Sequence, residues 1–152
     1  MFMTKIFKKI SKHFISSSFE IKSYYVQALY WSIIIRFCMI FLSFKKYRAL
    51  LGKMQVLNNE TYTDNTIELA KKVATIVVSL CNNTPWESKC LVQAVTCKQI
   101  LLKKGIQTNL FLGINTNLDS KELKAHAWLK IGDVFLTGKH GHQQYKIVNF
   151  FG

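Results

Sequence analysis

The sequence predicts an α+β domain, a set of hydrophobic helices followed by a run of antiparallel strands. Three observations predict it. Apolar residues recur at helical spacing from Thr66 to Leu80 and again from Leu91 to Leu102. After Gly105 the period changes to two. Gly132-Asp133 stands as a two-residue turn between two of the alternating segments. With 152 residues, 49% of them hydrophobic, and a single Pro, the chain is long enough for one core. That composition excludes disordered and collagen-like classes.

The elements follow in order. Met1–Lys12 alternates Phe2, Ile6, Phe7 and Ile10 with Lys5, Lys8, Lys9 and Lys12, the pattern of a short basic amphipathic helix. From Lys22 to Phe44 the chain is strongly apolar and long enough to cross a bilayer. Arg36, Gln27 and Ser32 interrupt it, and basic residues flank both ends (Lys22; Lys45, Lys46, Arg48), so no orientation is favoured. The expectation is a docking and surface element within residues 1–48, touching a partner protein or a membrane surface, rather than a span. Residues 1–57 are expected to form an N-terminal helical region and 58–152 the catalytic domain, with the polar stretch Asn58–Asn65 as linker.

Thr66–Leu80 carries Ile67, Ala70, Val73, Ala74, Val77 and Val78 on one helical face, with Asp64 or Thr66 available as N-cap. Thr84-Pro85-Trp86-Glu87 reads as a capping box, with Ser88 as the alternative cap one turn later. Lys103-Lys104-Gly105 closes that helix. The segments 108–114, 124–131, 133–137 and 145–150 read as strands, and Asn115–Glu122 as a polar loop.

Charge is uneven. The net charge is +13; residues 1–53 hold ten basic side chains and one acidic, residues 54–152 eleven and seven. Nucleic acid is not the expected partner, because the basic residues lack interleaved aromatics and no binding motif is present. Cys38, Cys81, Cys90 and Cys97 form no C-x2-C pair, and the sequence after the basic start has no h-region, so free thiols in the cytoplasm are expected. His140 and His142 lack a third ligand; no metal or cofactor is expected, and this pair reads as a solvated loop.

Two residues point to chemistry. Cys90 falls in the first turns of the second helix, where the positive end of the dipole and unbonded N–H groups favour a thiolate and receive an oxyanion. His126 lies in a strand between Ala125 and Ala127, whose small side chains leave an imidazole room to approach a helix end. A Cys at a helix start and a His on a packed strand is a cysteine-peptidase arrangement. Trp86 and Trp128 read as core residues able to wall such a site. Cys38, Cys81 and Cys97 read as small core residues.

The text around these positions is more specific. Thr84-Pro85-Trp86-Glu87-Ser88-Lys89-Cys90-Leu91-Val92-Gln93-Ala94, Lys103-Lys104-Gly105-Ile106, Leu112-Gly113, Leu123-Lys124-Ala125-His126-Ala127-Trp128-Leu129, Leu136-Thr137-Gly138 and Tyr145-Lys146-Ile147-Val148 follow one another in order. This series resembles the leader-peptide proteases of lasso-peptide biosynthesis over residues 84–150; the N-terminal half resembles them only in kind. The resemblance implies a transglutaminase-like, papain-like fold. It also implies removal of the leader from a ribosomal precursor, with Cys90 as nucleophile and His126 as general base and acid. At this length the chain resembles the split form, whose partners are a separate leader-recognition protein and an ATP-dependent cyclase. Relatives often carry an Asp about a dozen residues after the His, where this chain has Thr137 and Gly138. Asp133 is the only nearby acid, a candidate third member that also suits a plain turn; without an orienting carboxylate, His126 would be held by a backbone carbonyl or a neutral side chain. Two other functions stay open: a membrane-associated protein without catalysis, and a transglutaminase-like acyltransferase.

Overall fold

A computed structural model describes residues 18–116 and 123–152. The basic segment Met1–Lys12 and most of the polar loop before Leu123 lie outside the described residues. Two of three long helices pack on one face of a four-stranded antiparallel sheet and the third covers those two, as the α+β expectation requires.

Helix α1 (Phe19–Phe41) buries one face, Tyr24, Ala28, Ser32 and Ile35, at the i, i+4, i+8, i+11 spacing of a helical stripe. The Ser32 hydroxyl donates to the Leu29 carbonyl at 2.9 Å, so its burial leaves no orphan donor. A helical turn at Phe44–Tyr47 and a 3-10 turn at Arg48–Leu50 follow. Residues 53–55 then run beside the end of the sheet: Lys53 and Gly152 exchange N–H to carbonyl bonds (2.8 and 3.0 Å), and Gln55 N–H donates to Phe150.

Helix α2 (Asp64–Cys81) places Ala70, Val73, Ala74 and Val77 in the core. Its cap is Thr63, whose hydroxyl accepts from the Thr66 N–H, rather than Asp64 or Thr66. Asp64 instead sits in the first turn, where a carboxylate suits the positive helix end.

Helix α3 spans Cys90–Leu102 and begins later than the capping box predicts. The Thr84 hydroxyl is taken up by the Cys81 and Trp86 carbonyls (2.9 and 3.1 Å) and the Ser88 hydroxyl (3.0 Å), which holds 84–88 as a turn. Glu87 does not reach back to a cap; it pairs with Lys89 and, at 3.6 Å, with Arg36 on α1. Lys89 is the N-cap, without a side-chain cap bond. The helix closes as expected, with Gly105 left-handed (φ 74°) and the Ile106 N–H returning to the Leu101 carbonyl.

The strands are β1 (Asn109–Thr116), β2 (Leu123–Ile131), β3 (Val134–Thr137) and β4 (Lys146–Phe151), in the order β3-β2-β1-β4. Gly132-Asp133 joins β2 to β3, with Gly132 at φ 53°. Opposite Leu110 and Leu112 on β1 lie Leu129 and Ala127 on β2. These four, with Ile131, form the sheet's side of the helix-packed core. The alternating positions Phe111, Gly113, His126, Trp128 and Lys130 therefore face the other way.

Candidate active site

Cys90 occupies the first position of α3. The first intrahelical bond runs from the Gln93 N–H to the Lys89 carbonyl (3.1 Å), so the amides of Cys90, Leu91 and Val92 precede the ladder. Starting the helix at Cys90 puts the thiol closer to these amides and to the positive dipole end than a start at Thr84 would. The Gln93 amide ties the preceding loop down through the Ser88 carbonyl (3.1 Å) and Asn82 (3.0 Å). Cys90 is half-buried against the edge of the core.

The other thiols differ from it. Cys97 is fully buried, and burial pushes its thiol far above the ordinary range. Burial likewise pushes Cys81 up to about 11, against a smaller opposing pull from the Ser88 hydroxyl. Both are core residues, as their helical spacing predicts. Cys38 lies partly exposed on α1, not in the core.

His126 stands near the start of β2, paired with Gly113 across the β1 ladder. Its Nε2 lies 2.8 Å from the Gly138 carbonyl oxygen. A carbonyl only accepts, so Nε2 carries the hydrogen and the neutral ring keeps its lone pair on Nδ1. The acceptor is twelve residues after the His. Gly138 has φ 69°, and a Cβ there would lie 2.3 Å from the Ala127 carbonyl oxygen. No residue with a side chain fits without moving this backbone. The group that holds the ring is thus a backbone carbonyl, one of the two holders expected where no carboxylate is in place; that it is the carbonyl of Gly138 has no mark in the sequence beyond the Leu136-Thr137-Gly138 motif.

Aromatic rings surround the imidazole. Tyr145 stands 5.0 Å and Trp128 5.9 Å from it, centroid to centroid. His142 packs on Phe135 at 4.5 Å and on Trp128 at 5.8 Å, with Nδ1 bonded to the Lys139 carbonyl (2.6 Å). It is therefore part of this wall rather than a solvated loop residue; His140 is exposed. Trp128 is buried beside His126, while Trp86 lies half-buried in the turn before Cys90. Among the described residues no cluster of metal-ligating side chains occurs.

Asp133 does not join this group. It is fully exposed in the β2–β3 turn and faces Lys130 at 3.6 Å. Cys90 and His126 lie toward the same end of the sheet by connectivity. The end of α3 feeds β1 through a short turn, and β2 runs antiparallel to β1, so the start of β2 lies toward the start of α3. The thiol and the ring make no hydrogen bond with each other, and the pleat turns His126 to the face opposite the core.

Residues 36–149, well over half of the chain, match the transglutaminase-like superfamily. The chain belongs to that superfamily. Its members include cysteine peptidases and acyltransferases and are typically catalytic through a cysteine. No curated protein and no solved structure matches the chain. The superfamily match begins within α1 and takes in Cys90, His126 and Gly138.

Proposed function

We propose that this chain is a cysteine peptidase that removes the leader from a ribosomally made lasso-peptide precursor, with Cys90 as nucleophile and His126 as base and acid. The observation that carries the reading is the His126 Nε2–H bond to Gly138, which leaves Nδ1 free as a proton acceptor within a superfamily of cysteine enzymes. The motif series around both residues adds the substrate class.

The chemistry follows from those groups. His126 Nδ1 takes the Cys90 proton, and Sγ attacks the carbonyl at the leader–core junction. The amides that open α3 receive the oxyanion. The carbon–nitrogen bond then breaks, and Nδ1 returns its proton to the departing core amine. Water, deprotonated by the same nitrogen, attacks the thioester and releases the leader with a free carboxylate. The freed amine is what the cyclase joins to an Asp or Glu side chain. The step requires a rearrangement at the start of β2, because without substrate His126 faces away from the core on which α3 lies.

Acyl transfer is the second reading, because the superfamily includes acyltransferases that form the same thioester. Incubating the chain with a candidate precursor and its recognition protein, then weighing the products, separates the two. Free leader and core support hydrolysis. An unchanged precursor, or a leader joined to an amine, counts against it.

A further inference from the structure

We infer that the outer face of α1 rests in the plane of an anionic lipid surface, so that the helix is half core and half membrane contact. Opposite the buried stripe, Val26, Tyr30, Ile33, Phe37 and Ile40 are exposed, at 60, 56, 46, 55 and 59%. Their steps of four, three, four and three residues place them on one line along the helix. An apolar line of this length on a water-facing helix marks a contact surface.

Two further observations choose the occupant. The stripe ends at the exposed cations Lys45, Lys46 and Arg48, and Glu20 is the single acid in residues 1–53 against ten basic residues. A second copy of the chain offers these three cations at most one acid from this segment, Glu20, whereas anionic headgroups answer all three. The segment before α1 adds Lys5, Lys8, Lys9 and Lys12 with apolar residues between. The buried face argues against a span. Tyr24, Ala28, Ser32 and Ile35 pack into the protein core, and Arg36 is tied to Glu87 on the turn before α3. Crossing a bilayer would strip α1 from its own domain.

The full-length chain is tested by sedimentation with vesicles of phosphatidylglycerol and phosphatidylcholine, and with phosphatidylcholine alone. Expected are binding to the anionic vesicles, weakening as salt rises, and at least tenfold weaker binding to the neutral ones. Ile33→Ser with Phe37→Ser should reduce binding at least tenfold with unchanged thermal unfolding, because both side chains already face outward. Changing Lys45, Lys46 and Arg48 to Gln tests the same surface independently and should flatten the salt dependence. No binding to anionic vesicles, equal binding to both kinds, or a stable dimer that excludes vesicles would overturn the inference. So would retention in cell membranes after a carbonate wash, which is the behaviour of a span.

Discussion

Gly138 is the residue on which the orientation of His126 turns. Its positive φ and the 2.3 Å approach of a built Cβ to Ala127 leave no room for alanine. Gly138→Ala is expected to cost about 1–2 kcal/mol in stability and, by moving the carbonyl off Nε2, at least about tenfold in kcat/KM. The loss in kcat/KM should persist well below the unfolding temperature, where loss of stability alone leaves the rate unchanged. Asp133→Asn should leave the rate within about twofold, because that carboxylate is in solvent beside Lys130; a loss of several hundredfold with the fold intact would make it the orienting acid. Limiting iodoacetamide should modify Cys90 well before Cys81 and Cys97, as core burial protects both of those thiols. Faster labelling of Cys97 would contradict the assignment.

At the scale of elements, the strands and α2 were legible because their periodicity is local: alternation sets the strands to within about two residues, and one apolar face sets the helix. The start of α3 was not. Thr84 and Glu87 have capping-box spacing, but the hydroxyl is drawn to Cys81 and the carboxylate to Lys89 and, at 3.6 Å, to Arg36, a residue 51 positions away on α1. A partner that distant leaves no local mark. The acceptor for His126 was hidden for a different reason: a backbone carbonyl has no letter of its own, and only the glycine that permits it appears in the sequence. Motif text singles out Cys90 and His126, but it carries no sign that the pleat turns His126 to the face opposite the core. If the pair closes on substrate, a three-carbon dihaloketone should bridge Cys90 to His126 in the presence of leader peptide, and mass mapping of the cross-linked peptides checks it. Bridging of Cys90 to another side chain alone would count against the pair.

Lys98 shows how far α3 commits its length to the core. Its Nζ donates to the Thr108 carbonyl, it is nearly inaccessible, and burial lowers its pKa to about 8. The unfolded chain holds this proton up to about pH 10.5, so between about 8 and 10.5 the unfolded state binds more protons and this group's contribution to stability rises with pH. Cys81 acts oppositely, its folded thiol keeping a proton from about 9 to about 11 while the unfolded one loses it. The comparison must therefore be made between wild type and Lys98→Met, in which the cysteine terms cancel. Relative to the variant, the wild type should gain up to roughly 3 kcal/mol from pH 7.5 to 10.5, measured by denaturant unfolding. A pH-independent difference would mean that Lys98 is not desolvated.

Across the whole molecule, α1 and the sheet share a single core. Tyr24, Ala28, Ile35 and Leu51 are buried with α2, α3 and the strands, Gln99 donates to the Leu50 carbonyl, and residues 53–55 line the end of β4. Residues 58–152 alone are expected to lose cooperative unfolding, since their removal from this core exposes several fully buried side chains, each worth about 1.5–3 kcal/mol. Retention of a sharp transition would show that the later residues fold independently. The same core holds the first turn of α3 and the start of β2 toward one end of the sheet. The most direct test of joint action by Cys90 and His126 is cleavage of a precursor in the presence of its recognition protein in H2(18)O, followed by mass spectrometry of the leader. One 18O atom should enter the new leader carboxylate with the wild-type chain, and no leader should appear with Cys90→Ala or His126→Ala. Cleavage by either variant, or a leader product carrying an amine instead of the labelled oxygen, would contradict hydrolysis by this pair.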